Sequence, residues 1–272
     1  MENGANRQTE RENQMAELPI PGLILKMAVP TIVAFLINSI YSLTDTYFVH
    51  FLGTNATAAV SVNASLDQII MMAGSMLAVG AASYISRLLG ARKEEKANRV
   101  LSTAFFLAMG FGAVVMVLGL SFMQPMVRLL GATDTCEGYA MDYAAYVLLV
   151  APFMAANFVM NQCLRAEGSA MLSMIGMGFG GVLNCFLDPI FIFSLELGVK
   201  GASIATAISK MVSFGILMFP YITRRSLLRV SPRDFRPSRS ILWRLQWIRS
   251  SDCHMTRHLL PFLETFSQKF SY

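Results

Sequence analysis

Charged residues are scarce in this sequence. They make up 14% of the chain, whereas soluble domains have about 25%, and this shortage excludes an ordinary soluble globular protein. The four cysteines show no C-x-x-C spacing and no metal-ligand pattern, so neither a zinc site nor a dithiol redox site is indicated. The net charge of +5 comes from basic residues in segments between apolar runs, which does not indicate nucleic-acid binding.

Motifs of membrane enzymes are also missing. The sequence has no H-E-x-x-H, and no histidine lies within a spanning run except His50 at the edge of one. No nucleophile with a neighbouring base is recognisable, which disfavours an intramembrane hydrolase. We therefore expect no catalytic residue, no organic cofactor and no structural metal ion.

Six long apolar runs dominate what is present, and each is long enough to cross a bilayer. Because lipid offers no hydrogen-bond partner, the backbone of such runs must be helical. The predicted fold class is therefore all-α, a polytopic membrane protein with six transmembrane helices. The runs extend from about Leu23 to Val49, Ala56 to Ile85, Val100 to Met123, Tyr139 to Leu164, Ala170 to Leu195 and Gly201 to Ile222.

Lysine and arginine counts orient the predicted spans, because cytoplasmic loops carry an excess of both residues. The loop after the second span and the segment after the sixth are strongly basic, whereas the opposite loops hold little more than Arg128 and Lys200. We therefore predict a cytoplasmic N-terminus. The basic residues that support this orientation are Arg87, Arg92, Lys93, Lys96, Arg99, Arg224, Arg225, Arg229, Arg233, Arg236 and Arg239.

Composition divides the chain into four parts. Residues 1–22 are predicted to be a polar cytoplasmic N-terminus, residues 23–222 the six-helix membrane region, and residues 223–240 a basic cytoplasmic linker. The apolar runs of residues 241–272 are too short to span a membrane and are interrupted by charges. We expect this tail to lie on the membrane surface or to be partly disordered.

Two carboxylates lie inside the apolar runs. Asp45 is near the outer end of the first span, and Asp188 is about two helical turns before the outer end of the fifth. Asn38 and Tyr41 share the helix face of Asp45, and Asn184 shares that of Asp188. Because an acid inside a membrane is costly and is generally functional, we predict that the two acids bind a cation or a proton, as a transporter requires.

Small and polar residues extend this predicted site. Gly176 and Gly180 precede Asn184 at a spacing of four, which allows either close helix packing or the approach of a ligand. Thr206 in the sixth span and Tyr143 in the fourth fall at the same outer depth. Tyr143 fits an interfacial aromatic belt equally well.

Lys210 and three prolines are further unusual residues within the spans. Lys210 lies near the middle of the sixth span on the face of Thr206, and we predict that it pairs with a carboxylate or faces a wet cavity. Pro189 removes one helical hydrogen bond next to Asp188 and bends the chain, which exposes a carbonyl oxygen near the acid. Pro30 and Pro152 predict similar bends in the first and fourth spans.

Four segments of this chain resemble the multidrug and toxic compound extrusion (MATE) family of efflux transporters, most closely its bacterial multidrug branch. The likeness extends from about Leu23 to Ile222, with several motifs in the right order and spacing. The segments are VPTIVAFLINSIYSLTDTYFVHFLG, SYISRLLGARKEEKANRVLSTAF, APFMAANFVMNQCLRAEGSA and NCFLDPIFIFSLELGVKGASIATAIS.

The resemblance implies a fold of two six-helix lobes around a central cavity, of which this chain supplies the amino-terminal one. It implies an antiporter of the bacterial cytoplasmic membrane that is coupled to Na⁺ or H⁺ and exports bulky, amphipathic and often cationic compounds. The family's pocket for the coupling ion or proton matches Asp45, Tyr143, Asn184, Asp188 and Thr206.

Two departures from the family pattern matter. Lys210 stands where the family leads us to expect an uncharged polar residue, so we treat it as a modulator of coupling. The resemblance ends near Ile241, so the tail is not expected to form a normal second lobe, and a complementary lobe would be a partner.

Two alternatives stay open: a non-transporting membrane interaction fragment, and a relative of the lipid-linked oligosaccharide flippases. The flippases should carry more basic residues within the spans, and here only Lys210 qualifies.

Overall fold

The computed structural model describes residues 20–223 and 226–231. The predicted tail at 241–272, most of the predicted N-terminal part and the rest of the predicted linker lie outside this range. The described helices are α1 (Ile20–His50), α2 (Thr54–Gly90), α3 (Glu94–Ser121), α4 (Met123–Leu129), α5 (Glu137–Ala166), α6 (Ala170–Pro189) and α7 (Gly198–Ile222), and a π-helical turn (Ile190–Ser194) extends α6.

Within the described residues, six helices are long and apolar enough to cross a membrane, which confirms the all-α, six-span fold class. They are α1, α2, α3, α5, α6 with its π-helical turn, and α7. α3 begins at Glu94 and not near Val100, because acidic residues in a first turn are favoured by the helix dipole even where the apolar run has not begun. The short helix α4 was not predicted, since the residues around its N-cap, Phe122, are as apolar as those of the third span.

α5 is the central helix of the bundle. Most of its length is buried, and it packs against α2, α3 and α7. α1 is the most exposed of the six spans and packs mainly against α6, which packs in turn against α7. The four helices α1, α5, α6 and α7 therefore surround one interior space.

Buried apolar side chains fill the bundle in two regions. One region lies toward the α1–α2 turn and includes Val49 and Leu66, and the other lies toward the α2–α3 turn and includes Ile85 and Leu101.

The segment after α7 folds back onto the end of the bundle at which α2 ends and α3 begins. Glu167, buried in the turn between α5 and α6, accepts hydrogen bonds from the Ser226 hydroxyl and from the next backbone N–H, the latter 3.1 Å long. The Arg229 N–H donates to the Asn98 side chain of α3 over 2.8 Å. We call residues 226–231 the strap, because they tie the start of the linker to α3 and to the α5–α6 turn.

Candidate functional site

The two predicted acids are buried in the interior of the bundle. Asp45 is 7% exposed and Asp188 is 0% exposed, and the two carboxylates interact electrostatically. Within the described residues, Oδ1 of Asp45 and both carboxylate oxygens of Asp188 have no hydrogen-bond partner. A buried carboxylate oxygen needs a proton, a cation or a polar partner to offset its lost hydration. α1 and α6 therefore bring together the two groups that the sequence singles out.

Polar side chains of α5, α6 and α7 complete this arrangement. Asn184 Nδ2 donates to Thr206 Oγ1 over 3.3 Å. Tyr143 is 4% exposed and lies close to both Asp45 and Thr206, so it is an interior residue and not part of an interfacial belt. We call the five residues that the sequence predicts the carboxylate cluster: Asp45, Tyr143, Asn184, Asp188 and Thr206. The structure gathers all five, and their role in coupling stays a prediction.

Lys210 extends toward α1 from the middle of α7. Its ammonium group donates a hydrogen bond to the Tyr41 hydroxyl over 3.2 Å and lies 5.0 Å from the centroid of the same ring, a distance typical of a cation–π contact. It also interacts electrostatically with Asp45. Lys210 lines the cavity described below, which is the second of the two arrangements predicted for it, and its role in coupling stays a prediction.

Asp67 of α2 is a third acid at this site, and the sequence analysis missed it. It interacts electrostatically with Asp45 and Lys210, and its Oδ1 atom is buried without a hydrogen-bond partner in the described part of the chain. Within the sequence Asp67 belongs to a polar stretch with Asn63 and Gln68, which resembles the polar end of a span. The available signal was an acid within an apolar run.

A cavity of roughly 110 Å³ adjoins the carboxylate cluster. Asn184 and Thr206 belong to the carboxylate cluster and also line the cavity. Apolar side chains such as Phe35, Met154 and Met177 supply much of the remaining wall. The polar side chains that the sequence analysis did not place in a site are Asn157 and Asn161 of α5 and Ser209 and Ser213 of α7.

The glycines of α6 act first as packing residues. A Cβ atom on Gly180 would lie 2.8 Å from Ser213 Cβ, and Gly181 faces Ile37 and Tyr41 of α1. Ser213 Oγ also donates to the Gly176 carbonyl over 2.8 Å. The packing interpretation of the G-x-x-x-G spacing therefore holds, and Gly180 and Gly181 line the cavity as well.

The three prolines that predict bends in the spans lie within helices or at the end of one, and these bends stay predictions. Pro30 and Pro152 are inside α1 and α5, and both are buried. Pro189 is the last residue of α6, and the chain then widens into the π-helical turn, which Leu195 N–H closes on the Ile190 carbonyl over 3.0 Å. The regular helix thus ends one residue after Asp188.

The chemistry of this arrangement is that of a buried, acidic binding site. Three carboxylates, two tyrosines and one ammonium group interact across α1, α2, α5, α6 and α7. Among the described residues no group of three or more His, Cys, Asp or Glu side chains is assembled as a metal site. The carboxylates suit a proton or a monovalent cation, and the cavity beside them suits an amphipathic molecule.

Comparisons with known proteins give a consistent result. The family model described as MatE matches residues 30–190. The multidrug export protein MepA of Staphylococcus saprophyticus subsp. saprophyticus is 31% identical over 220 residues, which cover 80% of this chain and 49% of that protein. MepA of Staphylococcus aureus strain MRSA252 is 31% identical over 225 residues, which cover 82% of this chain and 50% of that protein.

A solved structure agrees with these relatives. It is described as the outward-facing conformation of a multidrug resistance MATE family transporter of the MOP superfamily, and it is 32% identical with a TM-score of 0.77. The similarity covers 82% of this chain and 50% of that chain. The chain therefore spans about half the length of the relatives that it matches.

Proposed function

We propose that this chain, which belongs to the MatE family, is the amino-terminal lobe of a multidrug exporter driven by a cation or a proton. The observation that carries the proposal is the meeting of Asp45 and Asp188 in the interior of six apolar spans. Their oxygens include three without a hydrogen-bond partner in the described residues. Such groups are costly in a membrane protein and are generally functional.

The proposed mechanism uses the carboxylate cluster as the coupling site. Asp45 lies on α1 and Asp188 on α6, so a proton bound by one carboxylate, or a cation shared between the two, lowers the repulsion between those helices. The occupied and empty clusters then favour different arrangements of α1 against α6. Because a ligand shifts a conformational equilibrium only by its differential affinity for the two states, the cluster must bind its ion more tightly in the outward-facing state than in the inward-facing state.

The proposed substrates are bulky, amphipathic and often cationic molecules. The cavity beside the cluster has an apolar wall with amide and hydroxyl groups at a few points, which is the usual composition of a small-molecule site. At roughly 110 Å³ it holds only part of a bulky molecule. The remainder of the site would be formed with a second lobe, the complementary partner proposed for this chain. We propose the bacterial cytoplasmic membrane, with a cytoplasmic N-terminus, as its location.

The test measures accumulation of a fluorescent cationic dye in bacteria that lack their own multidrug exporters. The chain is expressed with the carboxy-terminal half of the S. aureus MepA protein, and dye retention is compared with that of empty cells. We expect Asp188→Asn to abolish most gradient-driven efflux. Asp142→Asn is the matched control, because Asp142 is 42% exposed and pairs with Lys200 over 3.2 Å outside the cluster, so this variant should export normally.

Three results would reject the proposal. Equal efflux by Asp188→Asn and the unaltered chain would remove the acid from the mechanism. Dye retention equal to that of empty cells, for a chain shown to be inserted in the membrane, would favour the non-transporting interaction fragment. Export of a lipid-linked oligosaccharide without dye export would favour the flippase alternative.

A further inference from the structure

The ammonium group of Lys210 lies deep among the spans, where basic residues are rare. It is on the thirteenth residue of the 25-residue helix α7. Its hydrogen bond to Tyr41 (3.2 Å) and its position over the Tyr41 ring hold it toward α1 and the cavity. This position shows that the lysine does not extend along α7 toward the basic end of the bundle.

Lys210 faces acids from two other helices. It interacts electrostatically with Asp45 of α1 and Asp67 of α2. Among the described residues neither acid forms an ion pair with it. The ammonium group therefore attracts both carboxylates and is not held in a close ion pair with either. Tyr143 of α5 and Asp188 of α6 join the same group of side chains through Asp45.

We propose that Lys210 is a tethered cation that makes the carboxylate cluster accept a proton in preference to a sodium ion. This inference rests on the proposed function, because it names the coupling ion of the same cluster. The geometric basis of the inference is the position of the Lys210 ammonium group. It is a covalently attached positive charge within electrostatic reach of Asp45, and it cannot diffuse away from the site as a free ion can.

A fixed ammonium group opposes the addition of any positive charge to the acids that it faces, and for Asp45 and Asp67 this includes a proton. The two ions differ in the ligands that they need. A sodium ion needs several oxygen atoms at once and therefore has to come within reach of the ammonium group, whereas a proton bonds to a single carboxylate oxygen and can bind at Asp188, whose main charged neighbour is Asp45. Among the described residues the acids are also not gathered in a metal-site arrangement, although each retains an oxygen without a hydrogen-bond partner.

The test measures sodium binding and needs no transport. The purified chain in detergent is unfolded by heat in sodium chloride and in choline chloride of equal ionic strength, because a ligand that binds only the folded state raises the unfolding midpoint. We expect no sodium-specific rise for the unaltered chain. Lys210→Gln removes the charge and keeps a donor for Tyr41, and it should tighten the apparent sodium affinity about tenfold or more. Lys210→Met provides a second charge-free variant if the first does not fold.

Three controls identify the cause of any change in sodium binding. Lys200→Met also removes a lysine from α7, but outside the cluster in a pair with Asp142, so it should leave sodium binding unchanged. Lys210→Arg keeps the charge and should also remain insensitive to sodium. Adding Asp188→Asn to Lys210→Gln should abolish the gain, which places the sodium ion at the cluster.

A sodium-specific rise in the unaltered chain would overturn the proposal, and so would its absence in both charge-free variants. A gain that persists with Asp188→Asn would also overturn it, since the ion would then bind elsewhere. Failure of the proposed function gives a different result. The cells would then retain the dye in the efflux assay, while the sodium titration would still give the outcome expected for Lys210.

Discussion

Gly112 shows how one residue sets the distance between two spans. A Cβ atom at this position would lie 2.5 Å from Pro152 Cα and 2.7 Å from the Ala151 carbonyl oxygen. Both atoms belong to the backbone of α5, which cannot move aside as a flexible side chain can. α3 therefore approaches α5 at a place where only a hydrogen atom fits.

We predict that Gly112→Ala lowers the thermal unfolding midpoint of the chain in detergent. Overpacking of this kind costs about 1–3 kcal/mol. Gly110→Ala is the control, because it lies on the same helix with nothing within 4 Å of its added Cβ, and its midpoint should be unchanged or slightly raised. Equal midpoints for the two variants would show that α3 shifts freely against α5.

Single residues also show what the sequence could reveal of the site. Asp45, Asn184 and Asp188 were predictable, because a polar side chain in an apolar run is conspicuous and helical spacing gives its face. Asp67 was not recognised, because which face of α2 meets Lys210 depends on the packing of separate helices. Asn157 and Asn161 of α5 were not predicted for the same reason. Their side chains face the cavity because α5 is the central helix of the bundle.

Among the elements, the strap is held by side chains far from it in sequence. Glu167 accepts hydrogen bonds from Ser226 and the following N–H, and Asn98 accepts one from Arg229. Leu228 within the strap is fully buried. These contacts make the strap part of the folded bundle.

We predict that Glu167→Ala releases the strap, because it leaves the buried Ser226 hydroxyl and the partly buried N–H of Leu227 without their acceptor. An unsatisfied buried donor costs about 1–3 kcal/mol. The expected result is faster tryptic cleavage after Arg229 together with a lower unfolding midpoint. Glu95→Ala is the control, since Glu95 is exposed in the first turn of α3 at the same end of the bundle. Cleavage at the same rate in both variants would mean that Glu167 does not hold the strap.

Elements differ in how far the sequence determines them. The six spans follow from the length of the apolar runs and the need to satisfy the backbone in lipid. The π-helical turn after Pro189 does not follow, because it packs against a distant residue: a Cβ atom on Gly201 would lie 2.5 Å from the Phe191 carbonyl oxygen. Proline predicts that the regular helix is interrupted there, and only the contact with α7 shows which conformation replaces it.

For the molecule as a whole, the basic loops predict the orientation in the membrane. Lys93 lies in the exposed turn between α2 and α3, and Asp134 lies between α4 and α5 with its side chain 93% exposed. These two turns are at opposite ends of the bundle, so they should face opposite sides of the membrane.

We predict that Asp134→Cys is labelled by a membrane-impermeant maleimide on intact cells, whereas Lys93→Cys is labelled only after the membrane is permeabilised. The native Cys136 and Cys163 are buried, which keeps their labelling low, and the unaltered chain measures the remaining background. The reverse pattern of labelling would invert the orientation and place the carboxylate cluster in the inner half of the bilayer.

The strap has a mechanical consequence for anything that continues from it. A force on the chain after Ser231 acts first on the hydrogen bonds that the strap forms with Asn98 of α3 and Glu167 of the α5–α6 turn. It reaches the last turn of α7 only after these bonds. Such a load is therefore shared with α3 and the α5–α6 turn at that end of the bundle, and less of it reaches α7, which carries Thr206 and Lys210.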